Sequence, residues 1–227
     1  MSKNLFITGT GTDIGKTYVT GLILKKLNKA GKSAAYYKAA MSGNERRSNG
    51  SLIPGDASFV KNISQINQSI DQMCPYVYEK AVSPHLAAKI ENNAIDMDCV
   101  LENFDNICKR YDYVTVEGSG GIVCPLRYDS QKIQLEDFIK ARSLSCLIIA
   151  DAGLGTINSV VLTVEYMKSR SIPVKGIIFN NYNPESIMHQ DNLNMCEYLT
   201  GLKVISCVKT GQTDLNLPIN NIISLYE

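Results

Sequence analysis

Gly15, Lys16 and Thr17 stand together directly after a short apolar run and at the head of a helical pattern. Backbone N–H groups at such a turn and at the helix N-terminus point at an anion. A lysine adds a point charge, and a threonine hydroxyl is a ligand for magnesium. The common phosphate loop separates its glycines by four residues; here Gly9 leaves five and Gly11 leaves three, so the match is to a variant loop.

Three further charged residues carry chemical interest. Lys38 ends an apolar stretch, SAAYYKAA over 33–40. A buried ammonium is costly unless an anion meets it; Lys38 therefore serves either an anionic substrate and developing phosphoryl charge, or is a strand-end lysine reaching water. Asp56 opens a helical pattern (Ala57, Phe59, Val60, Ile63) and is an N-cap, or a metal-directed carboxylate if the loop before it folds over the phosphates. Glu117 closes the alternating run YDYVTV and precedes Gly118, Ser119, Gly120 and Gly121, where phosphate-loop enzymes carry a second metal-directed acid.

The elements that must hold these groups alternate. Strands are expected from Asn4, over 33–40, up to Glu117, over 145–151 (SCLIIAD), over 174–182 and over 202–208. The nearly unbroken apolar character of SCLIIAD suits a parallel sheet covered on both faces. Helices are expected over 17–30, from Asp56, from Ser83-Pro84, over 96–109, 134–142, 159–170 and 185–199, with a polar tail over 212–226. His85 reads as a first-turn helix residue before a catalytic base. The stretch 152–158, AGLGTIN, is a second glycine-bearing approach to a helix, for another anion or as a plain connection. Asn180 and Asn181 end the fifth strand and their amides can read a base edge. The fold class is α/β: a doubly wound, mainly parallel sheet flanked by helices, three layers in one domain spanning 1–227.

Composition narrows the partners. Lys plus Arg number 23 against 22 Asp plus Glu, a net charge of +1, so no global field draws nucleic acid or anionic lipid. Seven cysteines without a C-x-x-C pair argue against a disulfide framework or zinc site and for a reducing, cytoplasmic setting. No window approaches the roughly 18 apolar residues of a membrane span.

The motifs GTGTDIGKT (9–17), YYKAAMSG (36–43), GDA (55–57), SPH (83–85), VEGSGG (116–121), LGTIN (154–158) and IIFNN (177–181), in this order, resemble the dethiobiotin synthetase family. The resemblance implies a phosphate-loop NTPase fold and an ATP-dependent cyclo-ligase. In that reaction 7,8-diaminononanoate (diaminopelargonate), CO2 and MgATP give dethiobiotin, ADP and phosphate, in biotin biosynthesis. It further implies catalytic roles for Lys38, Lys16 and Thr12. Nucleotide contacts would come from Gly11, Thr12, Asp13, Ile14, Gly15, Lys16, Thr17 and Tyr18, from Asp56, from Glu117, Gly118, Ser119 and Gly120, and from Asn180 and Asn181. Mg2+ would lie on Thr17, Asp56 and Glu117. The diamine would meet Thr12, Lys38 and Ser42, and its carboxylate Gly155, Thr156, Ile157 and Asn158 of the partner in a homodimer.

Two departures stand out. Ala39 follows the lysine where other members can have proline, and Ile205–Thr210, ISCVKT, lacks the proline turn that helps enclose adenine. The rival of another class is a partition or membrane-positioning ATPase of the ParA/MinD type. Those proteins carry a signature lysine where this chain has Gly11, and the last dozen residues here hold no Lys or Arg for a membrane surface. A nucleotide-binding amidoligase is the third reading, and it calls for an added glutaminase domain or a tunnel, the first of which this length does not accommodate.

Overall fold

A computed structural model describes residues 2–227. In chain order its first half runs β1 (Lys3–Gly9), α1 (Lys16–Lys29), β2 (Ala34–Tyr37), β3 (Ala40–Met41), α2 (Gly55–Ser64), β4 (Tyr76–Val77), α3 (Pro84–Ile90) and α4 (Met97–Cys108). The second half runs β5 (Tyr113–Glu117), β6 (Pro125–Tyr128), β7 (Lys132–Gln134), α5 (Leu135–Ala141), β8 (Cys146–Asp151), α6 (Thr156–Ser169), β9 (Val174–Asn180), α7 (Ile187–Thr200), β10 (Val204–Cys207) and α8 (Ile219–Ile223).

Six strands form one sheet in the order β10-β9-β8-β1-β5-β2, every neighbouring pair parallel. Successive strand side chains point to opposite faces, and the core divides accordingly. Leu5, Ile7, Tyr36, Leu147 and Ile149 pack with α1, α2 and α8 on one face. Phe6, Tyr37, Cys146 and Ile148 pack with α4, α5 and α6 on the other, around the aromatic group Phe6, Tyr37, Phe104 and Phe138. This is the doubly wound three-layer arrangement expected, whose ligand crevice lies at the carboxyl ends of the strands.

Four local expectations are corrected, and one element is unforeseen. The strand expected over 33–40 stops at Tyr37, and Ala40–Met41 pairs instead with Tyr76–Val77 in a small separate sheet, so Lys38 sits at the break. Asp56 is not the N-cap of α2: Pro54 takes that position, and the Asp56 carboxylate turns to Lys38. The loop over 152–158 is shorter than expected, since α6 starts at Thr156 with Gly155 as its cap. The hairpin β6–β7 carries no strong period and is not foreseen. The polar tail is folded in, with Leu215, Leu217, Ile222, Leu225 and Tyr226 buried against the α1 face.

Two glycines permit the approaches the site depends on. Gly21, inside α1, faces Ile63 of α2 so closely that a Cβ there would lie 2.2 Å from its methyl, which lets α2 ride against α1 and carry Asp56 toward the loop. Gly15 has φ +90, the left-handed region open to glycine, and presents its α-carbon to Asn180.

Candidate functional site

A cleft of about 560 Å³ opens where β1, β2 and β5 end. Its floor is the loop 9–15 and the start of α1, where the first N–H groups have no acceptor inside the helix and the helix dipole is positive. No acidic residue in the first turn opposes an incoming anion. Thr12, Asp13, Gly15, Lys16, Thr17 and Tyr18 line it from the loop side, Lys38, Ser42, Asp56, Glu117, Ser119 and Gly120 from the other.

Lys16 is 7% exposed, and its ammonium donates to the carbonyl of Gly11 at 2.6 Å, arching over the loop. Burial pulls its pKa below the ordinary lysine value, with Glu117 partly opposing that. Such a desolvated cation with few partners has much to gain from a phosphate. Beneath the loop, Asn180 donates from Nδ2 to the carbonyl of Ile14 at 3.0 Å, holding the turn from the β9 side.

Opposite the loop is a charged cluster. Lys38 Nζ donates to Asp56 Oδ2 at 2.6 Å and to Glu117 Oε1 at 2.8 Å. Thr17 Oγ1 donates to the same Glu117 Oε1 at 2.8 Å, and the Tyr36 phenol donates to Oε2 at 3.0 Å. Burial alone would lower the pKa of Lys38, but the two carboxylates outweigh it and hold the ammonium above its ordinary value. One cation already bridges both acids beside the Thr17 hydroxyl. Two carboxylates and a hydroxyl are the hard oxygen set magnesium takes when phosphate oxygens and waters fill its other positions. Among the described residues no group of three or more His, Cys, Asp or Glu is gathered for a metal, so a metal here depends on Thr17 and on substrate oxygens.

Some expected residues lie elsewhere. Gly118 is buried against Phe6 and Leu135. Asn180 and Asn181 do not line this cleft; Asn180 is 5% exposed beneath the loop, and Asn181 donates to Asp151 Oδ2 at 2.7 Å. Residues 155–158 form the start of α6 and do not line it either. There Thr156 Oγ1 is buried with no hydrogen-bond partner among the described residues, while Leu154, two residues before it, is 92% exposed. His85 is half-buried on the first turn of α3. Tyr36 escaped sequence reading, because an apolar strand with two tyrosines gives no sign of which phenol meets a carboxylate.

A glycine loop between β1 and α1, a lysine over it, and acids at the ends of neighbouring parallel strands define a phosphate-loop nucleotide-binding protein of the α/β class. A family model described as an AAA domain matches residues 3–213. The ATP-dependent dethiobiotin synthetase BioD of Clostridium botulinum (strain Loch Maree / Type A3) is 48% identical over 227 residues, 100% of this chain and 99% of the relative. That of Brachyspira hyodysenteriae is 50% identical over 228 residues, covering 100% of both. The chain belongs to the dethiobiotin synthetase family. Solved structures of similar fold include the MinC:MinD cell division complex of Aquifex aeolicus and a ParA family ATPase of Chlorobium tepidum. Both have TM-scores of 0.54 at 14% identity over 92% of this chain, covering 81% and 84% of theirs, a likeness of fold alone.

Proposed function

We propose that this protein is an ATP-dependent dethiobiotin synthetase, which carboxylates 7,8-diaminononanoate with CO2 and closes the ureido ring at the expense of ATP. The observation that carries the residue roles is the cluster of Lys38, Asp56, Glu117 and Thr17 facing the phosphate loop. One amine of the diamine adds to CO2 and loses a proton, giving a carbamate. A carbamate oxygen attacks the γ-phosphorus and ADP leaves. The second amine then attacks the carbonyl carbon of the mixed anhydride and phosphate departs.

Negative charge grows on the carbamate and on the transferring group, so cations serve this chemistry better than bases. Lys16, desolvated over the loop, is assigned to the β- and γ-phosphates. Lys38, between the loop and Ser42, is assigned to the carbamate and the γ-phosphate. Thr12 is exposed at the loop's crest and Ser42 is half-buried across the cleft, so both suit hydrogen bonds to the diamine. Thr17, Asp56 and Glu117 are the residues to hold Mg2+, which neutralises phosphate charge when bound. Asn180 is assigned to the adenine edge through Oδ1, which takes no hydrogen bond among the described residues, while Nδ2 holds Ile14.

The reading includes a single domain, a cytoplasmic location and a homodimer. One sheet carrying both cores supports the first. Seven free cysteines support the second, and no helix among the described residues is long and apolar enough to cross a membrane. The unpartnered Thr156 hydroxyl at the head of α6, beside the exposed Leu154, supports a carboxylate pocket for the diamine completed across two subunits.

The test is incubation with MgATP, bicarbonate and the diamine. The expected result is diamine-dependent ADP, with a product heavier than the diamine by one CO2 less one water. ATP hydrolysis that ignores the diamine and responds to DNA or membrane instead would return the chain to the positioning ATPases.

A further inference from the structure

We infer that Tyr36 is a positioning residue for the metal-directed carboxylate: its phenol pins Glu117 Oε2 so that Oε1 alone faces Thr17 and Lys38. This rests on the proposed metal role of Thr17, Asp56 and Glu117.

The geometry is specific. Glu117 is 1% exposed, and both of its oxygens are engaged by donors of the protein itself. Oε1 receives Thr17 and Lys38 at 2.8 Å each, and Oε2 receives Tyr36 at 3.0 Å. Tyr36 is fully buried on β2, paired with Thr115 two residues before Glu117 on β5, so its ring runs along the strand toward the acid. Its backbone is fixed as well. Gln68 accepts from the Tyr36 N–H at 2.8 Å and donates to its carbonyl at 3.0 Å, closing the edge of the sheet.

The consequence follows from carboxylate chemistry. A free carboxylate rotates and can offer both oxygens to one cation; one whose far oxygen holds a buried donor is confined to the other. Partners of this kind behind a ligating group set its orientation, and their loss typically costs about 10–100-fold in metal affinity. Without the phenol, Oε2 would also be buried and unpaired, and turning toward Lys38 is its nearest relief.

Tyr37 supplies the control. It is the next residue on the same strand, equally buried, and its phenol also donates, to the carbonyl of Val100 at 2.7 Å on the opposite face of the sheet, away from Glu117. Y37F therefore removes a buried phenol bond without touching the acid.

Mn2+ affinity is to be measured by electron paramagnetic resonance on the full chain with a saturating non-hydrolysable ATP analogue, alongside melting temperature. Y36F is expected to weaken Mn2+ binding by about 10-fold or more, with analogue affinity in the absence of metal unchanged; Y37F is expected to lower melting temperature with Mn2+ affinity unchanged. Y36M, whose flexible thioether fills the same space without a donor, is the second variant for the same titration should Y36F not fold. Mn2+ affinity equal to wild type in the folded Tyr36 variant overturns the inference, as does an equal loss in Y37F. T17A and E117Q separate the two levels: if they too leave Mn2+ affinity intact, the metal site is wrong; if they weaken it and Tyr36 variants do not, only the role of Tyr36 fails.

Discussion

Lys38 Nζ and Glu117 Oε1 lie 2.8 Å apart with side chains only 7% and 0% exposed, while the other partner of the lysine, Asp56, is 40% exposed. The two halves of the cluster are therefore unequal. The Glu117 contact is desolvated, whereas Asp56 is reached by water, which screens its contact. A lysine held by a buried acid on one side and a water-screened acid on the other suits the role proposed for it, following charge from carbamate to phosphate.

Removal of Lys38 should consequently strike turnover. K38A is expected to lower kcat by about 10²–10³-fold or more while ATP binding, followed by calorimetry, remains measurable. K16A is expected to weaken both, because Lys16 lies on the loop itself. Near-normal turnover in K38A would remove the lysine from the mechanism.

The same asymmetry predicts a stability difference. E117A leaves the buried ammonium with the exposed Asp56 alone and strips the acceptor from Tyr36 and Thr17, and should destabilise by roughly 3–5 kcal/mol. D56A should cost distinctly less, since its half of the pair is screened by water. Urea midpoints of the two variants decide the order; a larger loss in D56A would contradict it.

The two lysines should also respond oppositely to pH. Lys38 has a raised folded pKa, so its stabilisation is fully present below the ordinary lysine value and declines only as pH rises through the folded value. Lys16 has a lowered one, so its charge is a penalty below that value, fading as pH approaches the unfolded value. Without nucleotide, K16M should therefore be more stable than wild type near pH 7, with the gap narrowing toward about pH 10, and K38M less stable across that window. Urea unfolding at the two pH values checks both signs.

These contrasts show what could be read in the chain and what could not. The loop, Lys38 and Glu117 were legible because each is a charged or glycine residue breaking a local apolar pattern. Of the two readings of Asp56, cap or metal-directed carboxylate, the cap fails, since capping is local and its actual partner, Lys38, is 18 residues away. Tyr36 and Glu117 are 81 residues apart, joined only because β2 and β5 pair in the sheet. The break of β2 at Lys38 and the burial of the C-terminal tail are likewise tertiary outcomes, decided by β4 and by the α1 face.

Gly15 offers a geometric prediction. Any side chain there must adopt φ +90 and place its Cβ 2.1 Å from Asn180 Nδ2. The left-handed conformation costs roughly 1–2 kcal/mol, and the overlap must push Asn180 or the loop aside. G15A should lose ATP binding by calorimetry, and N180A alone should weaken it through the lost hold on Ile14; in the double-mutant cycle the G15A change should cost less in the N180A background than in wild type, because the obstructing amide is gone. An equal cost in both backgrounds would mean that backbone strain alone governs the position.

Assembly can be tested at α6. Leu154, in the loop before α6, is 92% exposed and Leu162, on the helix, 62%, while the Thr156 hydroxyl at the helix start has no hydrogen-bond partner among the described residues. Exposed leucines are poor ligands for a carboxylate by themselves but good contacts for another subunit. The wild-type chain is expected to elute with light scattering at twice 25.0 kDa, and L154D/L162D at 25.0 kDa. If the diamine's carboxylate is received across that contact, the monomeric variant should show a raised KM for the diamine with ATP affinity unchanged. The phosphate loop, Lys16 and the Lys38 cluster all belong to one chain and should stay intact in it. A wild-type chain that runs as a monomer, or a monomeric variant with unaltered KM, would confine the whole diamine site to a single subunit.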